Sequence, residues 1–401
     1  MITTINNKHK KLNVPNLRFP EFQGEWEKMR LDAFTERVMR KNKSNQSRLP
    51  LTISAQYGLV DQITFFNKVV ASTDLSNYYL LKKGEFAYNK SYSSDYPWGA
   101  IKRLDNYDQG ALSSLYICFA PQDNVVSDFI LQYFESPKWH KGISEIAVEG
   151  ARNHGLLNVA VQDFFHTYHY VPKDKKEQIK ISKLLMLLDE RISTQNKIIE
   201  DLKKLKSAII EIEYTPNTKN TSPIGDVIEQ ISKRNKNNAI QNVLSVSNRQ
   251  GFIKQSDQFE NRNVASEDTS NYKIVEQNDF AFNPARINVG SIARLTTFEK
   301  GIVSPMYVCF RTQENVAPEY IDYFFESKHF YCEIQKRLEG SVRQCLSFEG
   351  LCNIPLSIPS FEIQQRIGKR IFTLGQKIKM ETDLLELLNK QKQYLLRQMF
   401  I

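Results

Sequence analysis

The strongest periodic signal along this 401-residue chain is a pair of apolar stripes at alternating steps of four and three. The first runs through Ile181, Leu185, Leu188, Ile192, Ile199, Leu202 and Ile209. The second runs through Ile367, Ile371, Leu374, Ile378, Leu385, Leu388 and Leu395. Each is interrupted at the same two steps, by Gln195 and Lys206 in one and by Glu381 and Lys392 in the other. Such spacing predicts amphipathic helices, and a heptad sustained over several repeats predicts coiled-coil pairing in which polar core positions set register. A helix of about 30 residues is roughly 45 Å long, more than a lid over one domain requires. Pro172, followed by Asp174 and Glu177 in a capping-box pattern, marks entry to the first helix, and Tyr214-Thr-Pro-Asn-Thr-Lys-Asn-Thr-Ser-Pro223 reads as a solvated linker after it.

Ahead of each helix the pattern changes to short alternating or aromatic runs, such as LTISAQ, YYLLKKGEFAYN and LSSLYICFAP, bounded by Gly, Asn, Asp or Pro. These predict strands. The runs recur in order. Leu51 to Gly58, with Gln62, answers to Leu244 to Gly251, with Gln255; Phe86-Ala-Tyr-Asn89 answers to Phe280-Ala-Phe-Asn283. Gly99, Ile101, Arg103 and Gly110 match Gly290, Ile292, Arg294 and Gly301, and Tyr116-x-Cys118-Phe119 matches Tyr307-x-Cys309-Phe310. Asn124-Val125 and Phe134-Glu-Ser136 match Asn315-Val316 and Phe325-Glu-Ser327. A period of about 190 residues is far beyond a solenoid repeat and marks a duplicated domain. In each half a helix is expected next, from Ser127 to about Ala147 and from Pro318 to Glu339. A polar loop and a last strand follow, reaching Val171-Pro172 and Ile358-Pro359.

The expected fold class is therefore α+β, with two duplicated β-rich domains separated by two long helices that pair as an antiparallel coiled coil with pseudo-two-fold symmetry. The expected boundaries are 1–172 for the first domain, 173–213 for the central helix, 214–223 for the linker, 224–358 for the second domain and 359–401 for the last helix.

Composition narrows the function classes. A hydrophobic content of 41% suffices for real cores. No apolar run approaches the roughly 18 residues of a membrane span, and the opening MITTINNKHKKLNVPN lacks the apolar core of a signal peptide, so residence in the cytoplasm is expected. The five cysteines include no CxxC pair, which argues for reduced thiols and against a disulfide frame or zinc site. His166 and His169, in the run FFHTYHYV, are spaced like ligands but have no Cys or carboxylate partner nearby, and no metal site is expected. The net charge of +9 suits a polyanionic partner met by local patches, since no segment is a polybasic tail.

Groups for catalysis are missing: there is no GxxxxGK[ST] phosphate loop, no dinucleotide fingerprint and no acidic pair beside a lysine. Asn283-Pro284-Ala285-Arg286 invites comparison with the Asn-Pro-Pro-aromatic motif of amino-methyltransferases, but it lacks the second proline and the aromatic clamp. The matching place reads Asn89-Lys90-Ser91-Tyr92, and a strand-ending turn is expected at both. The chain is expected to be non-catalytic.

Over nearly its whole length the chain resembles the specificity subunits of Type I restriction-modification systems. The resemblance is carried by the opening VPNLRFPEFQGEWEKMRL and by the two transitions VPKDKKEQIKISKLLMLLDERI and IPSFEIQQRIGKRIFTLGQKI. The signature Pro, Gln and Ile fall on Pro172, Gln178 and Ile181, then on Pro359, Gln364 and Ile367. The second copy departs by one residue between Pro and Gln, and it has Gly375-Gln376 in place of Asp-Glu. The resemblance implies that each globular half reads one part of a split double-stranded DNA target while the helices set the spacing and dock two methyltransferase subunits. Restriction-translocase subunits would join them, with S-adenosylmethionine, ATP and Mg on those partners and no cofactor on this chain. A coiled-coil scaffold that binds proteins without reading DNA is the rival reading.

Base edges are read by Arg or Lys on guanine and by Asn or Gln on adenine. The loops to search are those matched in position but not in sequence. Three qualify: Gln56-Tyr57 against Arg249-Gln250, Lys90-Ser91-Tyr92 with Trp98 against Arg286-Ile287-Asn288, and Arg152-Asn153-His154 against Arg343-Gln344. Arg103 and Arg294, common to both halves, are candidates for phosphate contact.

Overall fold

The computed structural model describes residues 13–68, 70–147, 155–215, 221–248, 250–258, 268–340 and 344–401. The chain divides into two compact units, one of Met1–Gln195 with Leu384–Ile401 and the other of Asn196–Asp383.

The first unit contains strands β1 (Glu27–Arg30), β2 (Thr35–Arg37), β3 (Pro50–Ser54), β4 (Gly58–Asp61), β5 (Tyr79–Lys82), β6 (Phe86–Asn89), β7 (Ala100–Arg103), β8 (Gln109–Leu112), β9 (Ile117–Pro121) and β10 (Tyr168–Val171). They form two four-stranded sheets, ordered β2-β9-β6-β7 and β4-β3-β8-β5, and a β1-β10 pair. The alternation along a strand explains why two sheets are needed. Phe86, Tyr88, Ile117 and Phe119 point into one core with Phe129, Phe134 and Trp139, while the smaller Ala87 and Cys118 point into a second with Leu51, Leu81 and Leu112.

The second unit contains β11 (Thr221–Pro223), β12 (Ile228–Ile231), β13 (Val243–Ser247), β14 (Gly251–Lys254), β15 (Lys273–Glu276), β16 (Phe280–Phe282), β17 (Ile292–Arg294), β18 (Lys300–Val303), β19 (Val308–Thr312) and β20 (Pro355–Ser357). Its sheets are ordered β12-β19-β16-β17 and β14-β13-β18-β15, with a β11-β20 pair, so every strand has the same neighbours as its counterpart. The stacked pair Phe86 and Phe119, with ring centroids 5.4 Å apart, recurs as Phe280 and Phe310 at 5.0 Å. Two landmark glycines gain a reason: a Cβ at Gly110 would lie 2.4 Å from the Leu51 side chain, and one at Gly301 would lie 2.4 Å from Leu244. Only a residue without a side chain lets β8 and β18 pass those leucines.

Four boundaries differ from the sequence reading. The helix expected from Ser127 breaks into Ser127–Glu135 and His140–Ile146 at Ser136-Pro137, where the Ser136 hydroxyl caps the next turn. Its counterpart breaks into Pro318–Phe324 and Lys328–Gln335, with Ser327 as the N-cap. The linker is shorter than 214–223, because Tyr214 ends the helix with its ring buried against Tyr320 and Thr221–Pro223 pairs with β20. Its middle, 216–220, lies outside the described residues.

The long helices run Lys175–Tyr214 and Phe361–Gln398, and neither is a separate domain. In the first unit Ile181, Leu185, Leu396, Met399 and Phe400 share the core of Trp26 and Phe129, and Lys392 pairs with Asp189 at 2.5 Å. In the second unit Ile210, Tyr214, Ile367 and Ile371 share the core of Phe280 and Phe310, and Arg370 pairs with Glu213 at 3.1 Å. All fourteen stripe residues are buried or half-buried. The polar interruptions follow them, with Gln195 buried and Lys206 paired with Glu326 at 2.7 Å. No helix among the described residues is long and apolar enough to cross a membrane.

Candidate nucleic-acid interface

In each unit the candidate loops converge. The β6–β7 loop is central. In the first unit Tyr92 N–H donates to Gly155 C=O at 3.0 Å and Leu157 N–H donates to Lys90 C=O at 2.9 Å, which ties the loop to the segment following residues 152–154. On its other side the Tyr96 hydroxyl donates to Ala55 C=O at 3.4 Å, beside the β3–β4 turn of Gln56 and Tyr57. In the second unit Leu346 N–H donates to Pro284 C=O at 3.1 Å, and the Ser291 hydroxyl donates to Val246 C=O at 3.3 Å, beside the β13–β14 turn. In both copies the described part of the β6–β7 or β16–β17 loop thus meets the segment after the third candidate loop and the strand end beside the first.

The described candidates have the exposure that a reading surface needs. Gln56, Tyr57, Tyr92, Gln250, Arg286 and Gln344 are exposed, and Lys90 and Asn288 are half-buried. Trp98 packs against the first core, and its C=O accepts the buried Tyr88 hydroxyl at 2.8 Å, so it supports the loop from below. Arg152, Asn153, His154, Arg249 and Arg343 lie outside the described residues. Asn283 ends β16 in a tight turn, with its Oδ1 accepting Ala285 N–H at 3.1 Å.

Arg103 and Arg294 are placed differently from their sequence assignment. Arg103 donates to Asp105 and Asp128, both at 2.7 Å, and to the Ser127 hydroxyl at 3.0 Å. Arg294 donates to Glu319 at 2.5 Å, Asn278 at 3.0 Å and Asp322 at 3.1 Å. Both guanidinium groups are largely withdrawn from solvent, and each ties a strand to the first turn of the following helix. Their recurrence is accounted for by this internal pairing. Burial pushes the Asp322 carboxyl up to about 6 against the opposing pull of Arg294.

Of the two histidines spaced like ligands, His166 is exposed, with its Nε2 3.9 Å from Asp32, and His169 has an internal role. His169 is buried, its Nδ1 meets the Tyr133 hydroxyl at 2.9 Å and its Nε2 meets the Thr167 hydroxyl at 2.8 Å. Desolvation pushes its pKa down to about 3, so the ring is neutral at physiological pH.

Several signature residues hold the β-rich domains to the helices. Gln178 accepts Val126 N–H and donates to Pro172 C=O, both at 2.8 Å; Gln364 accepts Ala317 N–H and donates to Pro359 C=O, both at 2.9 Å. One buried side chain in each copy thus caps the domain's helix and clips it to the proline that starts the long helix. Glu177, also buried, accepts both Arg18 nitrogens, at 2.7 and 2.8 Å, and Trp26 Nε1 at 3.2 Å, so the opening segment is fastened to the same helix start. Composition alone does not reveal these clips, but the pairing of Pro with a Gln a turn later in both copies is their sequence trace.

The model of the family described as Type I restriction modification DNA specificity domain matches residues 216–390. No curated protein sequence matches the chain. Among solved structures, the chain is similar to a Type I restriction-modification S subunit from M. genitalium, at 15% identity and a TM-score of 0.57, over 97% of this chain and 99% of that one. It is also similar to a chain from a structure concerned with complex assembly and conformational transition of the type I R-M system, at 13% identity and a TM-score of 0.54, over 92% of this chain and 96% of that one. The first unit repeats the strand order of the second. Residues 216–390 therefore match the family of Type I restriction modification DNA specificity domains, and the chain shares its fold over nearly its full length with a Type I S subunit.

Proposed function

We propose that this chain is the non-catalytic subunit that reads a bipartite double-stranded DNA target for a Type I restriction-modification complex. The observation that carries the reading is the duplicated cluster of three loops. One scaffold with one strand order presents, twice, loops that coincide in position and differ in the polar residues they expose. Two half-sites of different sequence call for that combination, whereas a protein scaffold has no use for it. Arg286, Gln250 and Gln344 on one copy, and Gln56, Lys90 and Tyr92 on the other, are the described residues assigned to base edges and adjacent phosphates. Arg152, Asn153, Arg249 and Arg343 remain assigned by sequence.

The long helices then act as a ruler. Pairing as an antiparallel coiled coil is supported by the burial of both stripes and by the contacts of Asp189 with Lys392 and of Glu213 with Arg370. Two methyltransferase subunits are assigned to the opposite helix faces. Those faces expose a second apolar series, Leu187, Ile198, Leu205 and Ile212 on one helix and Phe372, Met380, Leu387 and Tyr394 on the other. Restriction-translocase subunits join through that assembly, and S-adenosylmethionine, ATP and Mg belong to the partners.

Sequencing of modified bases in host DNA, with and without the gene for this chain, tests the proposal. A two-part modified motif present only with the chain, together with co-purification of a methyltransferase, is the expected result. Unchanged modification and binding partners unrelated to methylation would establish the scaffold reading instead.

A further inference from the structure

A second duplicated basic element lies outside the reading loops. Arg40-Lys41-Asn42-Lys43-Ser44-Asn45 and Lys233-Arg234-Asn235-Lys236-Asn237-Asn238 precede β3 and β13 at matching positions. Their backbones are held alike. Asn42 is fully buried; its Oδ1 accepts Ser47 N–H and its Nδ2 donates to Ser47 C=O, both at 2.8 Å. Asn235, equally buried, accepts Ile240 N–H at 3.2 Å and donates to Ile240 C=O at 3.0 Å. Asn45 and Asn238 both adopt a left-handed backbone, with φ of 50° and 49°. The flanking acids Asp74 and Asp268 are engaged by the backbone amides of Ser76 and Ser270.

On this fixed turn the cations face outward. Lys41, Lys43, Lys233, Arg234 and Lys236 are all exposed. Lys41 and Arg234 are steered by the same neighbour in each copy, through Asn77 C=O at 2.7 Å and Asn271 Oδ1 at 2.8 Å. Arg40 is paired with Glu85 at 3.0 Å and is not counted among the outward cations.

The reading loops differ between the copies, as two different half-sites require. A contact to the sugar-phosphate backbone faces the opposite constraint: the backbone is the same in both half-sites, so its binder should be the same in both copies. Arg103 and Arg294 satisfy the duplication but are occupied by carboxylates. The asparagine-pinned turns satisfy it with exposed charge.

Their position suits the task. Lys41 bridges to Tyr79 and Arg234 to Lys273, so each turn extends the β5 or β15 edge of its sheet. From β3 or β13 the bridged turn beyond that edge is three inter-strand steps away, about 14 Å at roughly 4.8 Å per step.

We infer that the Arg40–Asn45 and Lys233–Asn238 turns are sequence-independent binding sites for DNA phosphates flanking each half-site. The inference rests on the DNA-reading function proposed above. Lys43 and Lys236 supply direct charge, and Asn42 and Asn235 are positioning residues that hold the turn.

The test uses the purified full-length chain, fluorescence anisotropy, and two duplexes of equal length, one carrying the modified motif and one scrambled, titrated between 50 and 200 mM salt. Lys43→Gln with Lys236→Gln is compared with wild type and with Lys43→Arg plus Lys236→Arg. Each lost phosphate contact flattens the log–log salt slope by about 0.9, which at 0.15 M salt is roughly a fivefold loss in affinity. The glutamine pair is therefore expected to bind both duplexes about thirtyfold more weakly, with the slope reduced by about 1.8, while the arginine pair retains both. Circular dichroism and the melting curve should match wild type. Unchanged affinity and slope would overturn the inference, as would a loss confined to the target duplex. Intact DNA binding with loss of a co-purifying protein would overturn it as well, and would assign the turns to a protein partner. A wild-type chain with no preference between the duplexes would instead overturn the DNA-reading proposal, and the salt slopes would still decide whether the turns contact phosphate.

Discussion

Replacement of Gln364 by alanine is the sharpest test of how a β-rich domain is joined to its long helix. Gln364 is 1% exposed, and it joins Ala317 N–H to Pro359 C=O through two hydrogen bonds of 2.9 Å. Truncation leaves the buried amide of Ala317 without its acceptor, a loss of about 1–3 kcal/mol, whereas the half-buried Pro359 carbonyl keeps some access to water and loses about 1 kcal/mol or less. The sum is a destabilisation of about 1–4 kcal/mol, equivalent to a drop of roughly 2–16 °C in the melting temperature of a unit of this size. The neighbouring Gln365 is exposed on the same helix turn, and Gln365→Ala is expected to stay within about 0.5 kcal/mol of wild type. Denaturant unfolding and differential scanning fluorimetry of both variants provide the comparison. Equal melting of Gln364→Ala and Gln365→Ala would refute the clip, and with it the same argument for Gln178.

Gly301→Ala forces a Cβ to within 2.4 Å of Leu244 and is expected to cost about 1–3 kcal/mol in a thermal melt, with partial recovery when Leu244→Val is added. For Asp322, whose folded pKa of about 6 lies above its ordinary value of 3.8, the folded state binds the extra proton, so its contribution weakens stability as pH rises from 4 to 6. The stability of Asp322→Asn relative to wild type should therefore rise over that interval, by up to about 3 kcal/mol; a flat difference would contradict the burial argument. Arg286→Ala is expected to weaken binding to the target duplex by about 1–3 kcal/mol and to leave the scrambled duplex unaffected, as competition binding would show.

The duplication was legible because strand alternation, aromatic landmarks and the two glycines must recur wherever the same two cores are built. The helix stripes were legible for the same reason, down to their polar interruptions. Burial depends on the side chain's face, and face is written in spacing. Other features depend on contacts that spacing does not encode. Arg103 and Arg294 were recognisable as a shared pair, but their acceptors lie some way along the chain, on Asp128 and on Glu319 and Asp322, and only the fold brings them together. The long helices read as free-standing segments, yet Leu396, Met399 and Phe400 complete one core while Ile210 and Tyr214 complete the other. The Asn42 and Asn235 turns resemble any polar loop until their buried side-chain bonds are seen.

We propose that paired helices of fixed length set the gap between two half-sites. Adding one heptad to the middle of each long helix lengthens such a rod by about 10 Å, or roughly three base pairs of B-DNA. Mapping modified bases in cells that carry the lengthened chain is the direct measurement. The same two half-sequences separated by about three additional base pairs are expected; an unchanged gap, or altered half-sequences, would contradict the claim.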